Sequence, residues 1–321
     1  MDPSGTPFVA FLDKSHSSKA TVMKYSGSTW VTVGSAGFSA GLVANLSIAI
    51  GSDGTPYVAY QDEAITNMNA TVMKYSGGAW VTVGSTGFSA STASFVNIAM
   101  DSNNTPYVAY KDAGNSYKAT VMKYDGSSWV TVGSAGFSDG SASYLGMCID
   151  SDNMPVVSYR DAGNSNYITV MKYSGSSWVS VGSKGFSSGI VTFTSIAKGA
   201  GGVFYAAYVD DNCSGRATVM KYSGGGWTVV GSAGFSTGVA SSTIIAVDAG
   251  GVPFVSYANT GNSYKSAVMK YSGSGWNLVG TDGFSAGRAD YLGMAIAPDG
   301  APWVVYTDRA NSDGVTVMTY K

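Results

Sequence analysis

Among 321 residues the chain has one histidine, His16, and two cysteines, Cys148 and Cys213. A lone imidazole excludes a zinc site built on several histidines and ties any Ser-His-Asp arrangement to one position near the N-terminus. The cysteines lie in unlike surroundings, Cys148 in an apolar stretch and Cys213 in a polar one, so no disulfide framework follows from them. Charge is scarce as well. Lys plus Arg number 18 against 20 Asp plus Glu, which leaves no basic excess to neutralise phosphates and argues against a nucleic-acid partner. No run nears the roughly 20 apolar residues of a membrane helix, so no membrane insertion is expected. The opening MDPSGTPFVAF lacks the basic start and apolar core of a signal peptide. Phosphate loops and dinucleotide fingerprints are absent too, and no cofactor is implied.

What the chain has is Gly (43 residues), Tyr (21) and abundant Ser and Thr, a content too β-branched and aromatic for disorder and too broken by Gly for long helices. This is an all-β composition. It also matches that of many exported bacterial proteins, which makes an extracellular location the expectation. The stretch ATVMKYSGSTWVTVGSAGFSAG, residues 20–41, recurs along the chain. Trp30, Trp80, Trp129, Trp178, Trp227 and Trp276 are 50, 49, 49, 49 and 49 residues apart, and Tyr25 through Tyr320 keep the same spacing. Several short strands in a period of this length are the mark of a β-propeller blade.

Gly, Pro, Asn and Asp clusters divide the second copy into strand A (Leu46 to Ile50), strand B (Pro56 to Gln61), strand C (Ala70 to Tyr75) and strand D (Trp80 to Gly84). Strands B and C are apolar on both faces and need cover on both, which stacked blades supply. The repeated methionines (Met23, Met73, Met122, Met171, Met220, Met269 and Met318) and the repeated tryptophans read as packing between blades. Strands B and C occur seven times but A and D six times. The expected fold is therefore one all-β domain over residues 1–321, a propeller of near-identical four-stranded blades of about 49 residues, seven in number, with the first and last incomplete. A six-bladed ring with a spare N-terminal hairpin, Met1 to Tyr25, is the alternative. Unpaired terminal strands in either ring offer a route to self-association.

Val132 to Phe137, Tyr107 to Ser116 and Val121 to Tyr124 together resemble the NHL-repeat propellers, and the likeness extends over nearly the whole chain. It implies that strand A lines a central channel and strand D is outermost. The chain departs from that family at Tyr117, where a basic residue usually follows the asparagine pair, and in the Trp of strand D. NHL-like propellers include RNA binders, protein-interaction modules and a lyase, so the fold does not select an activity.

The B-to-C loops differ most between copies: DKSHSSK, DEAITNMN, DAGNSYK, DAGNSNY, DDNCSGR, NTGNSYK and DRANSDG. They share a face with the D-to-A loops, and that face is the expected binding surface. Candidate ligand-binding residues there are Asp112, Asn115, Tyr117, Asp161, Asn164, Asn262 and Tyr264, with Tyr144 and Tyr291 just after the D-to-A loops. Tyrosine rings stack on sugars and asparagines bridge hydroxyls. The leading carboxylates have a second reading, as Asx-turn acceptors within the loop, which also explains why Asn259 can replace Asp. Carboxylates recur by repeat position and form no unique pair in the channel strands, so no glycosidase centre is indicated and no catalytic residue is nominated. The expected role is a non-catalytic, multivalent recognition or interaction scaffold with a protein or carbohydrate ligand. A self-assembling propeller without ligand, natural or designed, and a lectin are the alternatives.

Overall fold

The computed structural model describes residues 1–320. Those residues form seven antiparallel sheets, five of four strands and two, the first and the last, of three. The protein is an all-β seven-bladed propeller. Blade three shows the pattern: strand A Ala93–Met100, B Pro106–Asp112, C Lys118–Tyr124 and D Trp129–Thr131, hydrogen-bonded in that order. The first blade is Phe8–Asp13, Lys19–Tyr25 and Trp30–Thr32, with no strand A. Ala289–Ile296, Pro302–Asp308 and Gly314–Thr319 make the last, with no described strand D. Residues 1–25 thus belong to a blade, and the six-bladed alternative with a spare hairpin is corrected. Asp2 already acts as the A-to-B turn residue: its carboxylate accepts from the N–H groups of Ser4 and Thr6, as Asp101 does from Asn103 and Thr105.

Contacts divide the chain into two units, residues 1–156 with 172–179, and 157–171 with 180–321. Within the first unit the A strands of blades two, three and four pack side by side, and Asn97 Nδ2 donates to the Leu145 carbonyl at 2.8 Å. In the second unit blades five, six and seven repeat this, with Thr243 Oγ1 donating to the Phe193 carbonyl. One correction concerns strand A of blade two. It starts at Val43, three residues before the expected Leu46, because a bulge between Ala44 and Ser47 interrupts the two-residue alternation that marks a strand.

Blade interfaces have a common build. Each tryptophan from Trp80 to Trp276 stacks on the phenylalanine of the preceding D-to-A loop; for Trp178 and Phe137 the ring centroids are 3.9 Å apart. The indole N–H donates across the interface, Trp178 to the Val132 carbonyl at 2.8 Å and Trp227 to Val181 at 2.7 Å. A glycine, Gly133 or Gly182, lies beneath the ring at positive φ, where a β-carbon would meet the indole at about 3 Å. The repeated methionine has a use the sequence reading did not assign. Its sulfur accepts from a buried tyrosine hydroxyl of strand B, Tyr110 to Met122 at 3.3 Å and Tyr306 to Met318 at 3.0 Å. Burial pushes these phenols upward, Tyr306 to about 12.

Candidate functional site

The residue ending strand B, an aspartate in every blade but the sixth, organises the loop that follows. Asp112 is almost fully buried; it accepts from the Gly114 N–H at 3.0 Å, from Asn115 Nδ2 at 2.8 Å and from Thr120 Oγ1 at 2.9 Å. Thr120 Oγ1 in turn accepts from Gly136 N–H in the next D-to-A loop. The same turn holds Asp161, which accepts from Gly163 N–H and Asn164 Nδ2. In the first blade His16 takes the place of Asn115, its Nδ1 2.8 Å from Asp13. Burial raises the Asp13 pKa, but hydrogen bonds from Ser15, Thr21 and His16 together outweigh it and hold the carboxyl below its ordinary value. These carboxylates are engaged inside the turn, and Asn115 and Asn164 are tethered to them.

Blade six departs from this arrangement. Asn259 still accepts from Gly261 N–H, but Ala267 stands where the hydroxyl of Thr120 would be, and Asp282 stands where the other copies have Ala36, Thr86, Ala135, Lys184 and Ala233. Asn259 Nδ2 donates to Thr237 Oγ1 at 2.9 Å and lies 3.1 and 3.2 Å from the two Asp282 oxygens. Asn262 donates to the Asp282 carbonyl at 3.1 Å rather than to a strand-B carboxylate. The negative charge has moved from the strand end to the neighbouring loop, with a neutral amide between.

Above the turn of every blade but the second, where Met68 alone is left-handed, the chain enters left-handed backbone twice. Ser116 and Tyr117 have φ of 55° and 62°, and Ser263 and Tyr264 have 53° and 60°. The second of these residues joins neighbouring blades through its carbonyl, which accepts from the first N–H of the next strand A: Tyr117 from Ala142 at 2.9 Å, Tyr264 from Ala289 at 3.0 Å. Ser18, Met68, Asn166 and Gly215 make the same link, so the conformation belongs to the scaffold whatever residue stands there. A further left-handed residue lies in each strand A, at Asn45, Phe95, Tyr144, Phe193, Ser242 and Tyr291, with φ between 49° and 54°, and at Asn45, Phe95, Phe193, Ser242 and Tyr291 it lies in a bulge.

These positions gather into two clusters. In the first unit, the Lys111 ammonium lies 5.2 Å from the Tyr117 ring centre and 5.9 Å from that of Phe95, and it donates to Ser143 Oγ at 3.3 Å. Phe95 meets Tyr144 with ring centroids 5.4 Å apart. In the second unit, the Arg288 guanidinium lies over the Tyr264 ring at 4.1 Å and donates to Asp290 at 2.8 Å, while Arg309 holds the other Asp290 oxygen at 2.9 Å. Burial raises the Asp290 pKa, but its bonds to Arg288 and Arg309 prevail, and the carboxyl lies below its ordinary value. Tyr291, next along, is 86% exposed. The two clusters are offset by 147 residues, three repeats, with Tyr117, Ser143 and Tyr144 matching Tyr264, Asp290 and Tyr291.

The structure thus brings Tyr117 near Tyr144 through Lys111, Ser143 and Phe95, and Tyr264 near Tyr291 through Arg288 and Asp290. Asp112, Asn115, Asp161, Asn164 and Asn262 lie in the turns beneath. Phe95, Lys111, Arg288, Asp290 and Arg309 were not foreseen. A signal existed for Lys111: its place, one residue before the end of strand B, reads Gln61, Lys111, Arg160, Val209, Ala258 and Thr307, a diversity equal to that of the loops.

No family model matches the chain and no curated protein does, so the likeness to NHL-repeat propellers stays at the level of the propeller fold. Similar solved structures exist. A fungal fucose-recognising lectin from Aleuria aurantia, a six-bladed propeller, superposes with a TM-score of 0.59 at 16% identity, over 89% of this chain and 95% of the lectin. AofleA from Arthrobotrys oligospora gives 0.56 at 13% over 87% and 83%, and a family-25 polysaccharide lyase bound to an ulvan fragment gives 0.57 at 13% over 88% and 87%. At such identities the likeness is one of fold.

Proposed function

We propose that the protein is a non-catalytic carbohydrate-binding module with two equivalent aromatic subsites, one around Tyr117 and one around Tyr264 and Tyr291. One observation carries this reading. Where the scaffold demands left-handed backbone, other blades use Ser18, Met68, Asn166, Gly215 and Asp313, whereas blades three and six place tyrosines. A bulky side chain in that region costs on the order of 1 kcal/mol or more. Burial does not repay it, because Tyr117 is 56% exposed. A ring kept outward at a cost to the fold has its use outside the fold.

The chemistry suits a sugar. An aromatic face receives the C–H face of a pyranose, while Lys111 and Ser143, or Arg288 and Asp290, supply donors and an acceptor for the hydroxyls. Support for carbohydrate over other ligands comes from the structurally similar lectin from Aleuria aurantia, whose fold recognises fucose. The non-catalytic reading rests on the repeat carboxylates, whose oxygens are engaged in the turns, and on Asp290, clamped between two arginines.

A glycan array followed by titration calorimetry tests this. The expected outcome is a glycan bound at two sites per chain, with Tyr117→Ala reducing the count to one and Tyr117→Ala with Tyr264→Ala and Tyr291→Ala abolishing binding in a folded protein. Binding that survives all three substitutions, or no glycan bound at all, would sink the proposal.

A further inference from the structure

The two tyrosine sites share a feature that the repeat does not account for. Each ring has a cation against it, Lys111 at 5.2 Å from Tyr117 and Arg288 at 4.1 Å from Tyr264, yet the two cations come from different places. Lys111 is next to last in strand B of the tyrosine's own blade, where blade six has Ala258. Arg288 precedes strand A of the following blade, where the first site has Ser141. Duplication of a unit copies positions. A positive charge brought to the ring from opposite sides of the blade interface therefore answers a demand of the site, not of the scaffold.

At the second site most of the donor capacity is unused. Arg288 and Arg309 each give Asp290 one N–H, from Nε, at 2.8 and 2.9 Å. A guanidinium carries five N–H donors, and the other four on each arginine have no acceptor among the described residues. Asp313 acts on Arg309 only through space, and more weakly than Asp290 does. Both guanidiniums reach water, their side chains being 39% and 58% exposed, and Tyr291 lies within electrostatic reach of Arg309. One carboxylate thus holds two forks by their Nε groups and leaves the Nη pairs, whose spacing matches two oxygens of a carboxylate or sulfate. At the first site Ser143 stands where Asp290 does, so that place puts a hydroxyl and no negative charge beside Lys111.

We infer, resting on the carbohydrate-binding role proposed above, that the sugars bound at both sites carry an anionic group, a carboxylate or a sulfate ester. The Nη pairs of Arg288 and Arg309 hold it at the Tyr264 site, and the Lys111 ammonium holds it at the Tyr117 site. The ligand class is an acidic glycan, with its C–H face on the tyrosine and its charge on the cation.

The test is an array of matched tetrasaccharides: galacturonate, glucuronate and mannuronate chains with their methyl esters, and sulfated chains with their desulfated parents. Calorimetry on the best-binding pair follows, at about 50 and 500 mM salt, since screening weakens exposed charge contacts. Expected is an acidic member bound roughly tenfold or more tightly than its neutral partner at low salt, with the ratio shrinking at high salt. Which pairs respond separates carboxylate from sulfate. This comparison uses the unaltered protein and does not depend on any variant folding. Arg309→Gln and Lys111→Gln are each expected to lower the acidic-to-neutral ratio at one site roughly tenfold, and Arg309→Lys and Lys111→Arg to keep the greater part of it. A cation needed only to steady the ring would change the melting curve and leave that ratio alone, which would overturn the inference. So would a neutral member bound as tightly as its acidic partner, an outcome that leaves the carbohydrate reading intact. A chain that binds no member of any pair overturns both.

Discussion

Blade six offers a direct test of how the turns are held. Replacing Asn259 by Asp restores the residue of the other blades at a site now facing Asp282, whose oxygens lie 3.1 and 3.2 Å from the amide nitrogen. Two full negative charges at that separation repel by about 5 kcal/mol in a medium of effective dielectric 20. Side-chain movement and partial solvent access at Asp282 leave roughly 2–3 kcal/mol of net destabilisation at pH 7 for Asn259→Asp. The pH sense is fixed. Each carboxyl raises the other's pKa in the folded protein, so the penalty is fully present above the raised value and fades as pH falls and one carboxyl takes a proton. Urea-unfolding midpoints at pH 7 and pH 4.5 are the assay, with hydrogen exchange at Gly261 as the local readout. Asp282→Ala added to Asn259→Asp is expected to recover most of the loss, and Ala267→Thr to recover more by restoring the hydroxyl donor that Thr120 provides to Asp112. If Asn259→Asp is as stable as the parent at pH 7, or if removing Asp282 does not rescue it, the relocated-charge account is wrong.

At the blade interfaces, Trp178→Phe keeps the stack on Phe137 but leaves the Val132 carbonyl unpaired; a loss of about 1–2 kcal/mol is expected, against about 3–5 for Trp178→Ala, measured by chemical denaturation. Asp290 is held below its ordinary pKa by Arg288 and Arg309 against the opposing effect of burial, so the contribution of the cluster is complete above the ordinary carboxylate range and disappears as pH falls through the lowered value. NMR titration is expected to show the Asp290 pKa moving upward in Arg309→Ala. Tyr117→Gly is expected to stabilise the fold by several tenths of a kcal/mol to about 1, because glycine is at ease at φ 62°. The same change should remove one carbohydrate site, and loss of stability along with it would show that the ring serves the scaffold.

Much of the architecture could be read from spacing alone. Trp and Tyr at a period of 49 gave the blade, and counting B-to-C hairpins gave seven. What escaped depends on partners distant in sequence. The bulge at Asn45 disturbs alternation without changing composition, so strand A seemed to begin late. Met122 looked like filler because its hydroxyl donor, Tyr110, is on another strand. The exchange of Asn259, Ala267 and Asp282 is three separate substitutions in a linear reading and one charge relocation in space. At the candidate site, Tyr117, Tyr144, Tyr264 and Tyr291 stood out because loops vary where strands do not. Their left-handed backbone did not: at Tyr117 and Tyr264 it accompanies hydrogen bonds to the next blade, and at Tyr144 and Tyr291 it lies within strand A, where no change of composition marks it.

That backbone makes each loop a pedestal of constant geometry, and the idea can be tested by building a third site. Asn166 has φ of 61°, the place held by Tyr117 and Tyr264, and its carbonyl already accepts from Val191 N–H. Beside it, Arg160 donates to its side-chain oxygen at 3.0 Å and takes the position of Lys111, while Phe193 takes that of Tyr144. Only the tyrosine is missing. Asn166→Tyr is expected to cost about 1 kcal/mol, because asparagine tolerates left-handed backbone better than a bulky ring does. It is also expected to raise the number of sugars bound per chain from two to three, with the new site sensitive to Arg160→Ala. The denaturation midpoint and the calorimetric stoichiometry report the two effects separately. A folded Asn166→Tyr protein that still binds two would mean that the ring and the cation together are not enough. In that case the affinity at Tyr117 and Tyr264 must come from features those blades do not share with the fourth, with Ser143 and Asp290 the first to examine.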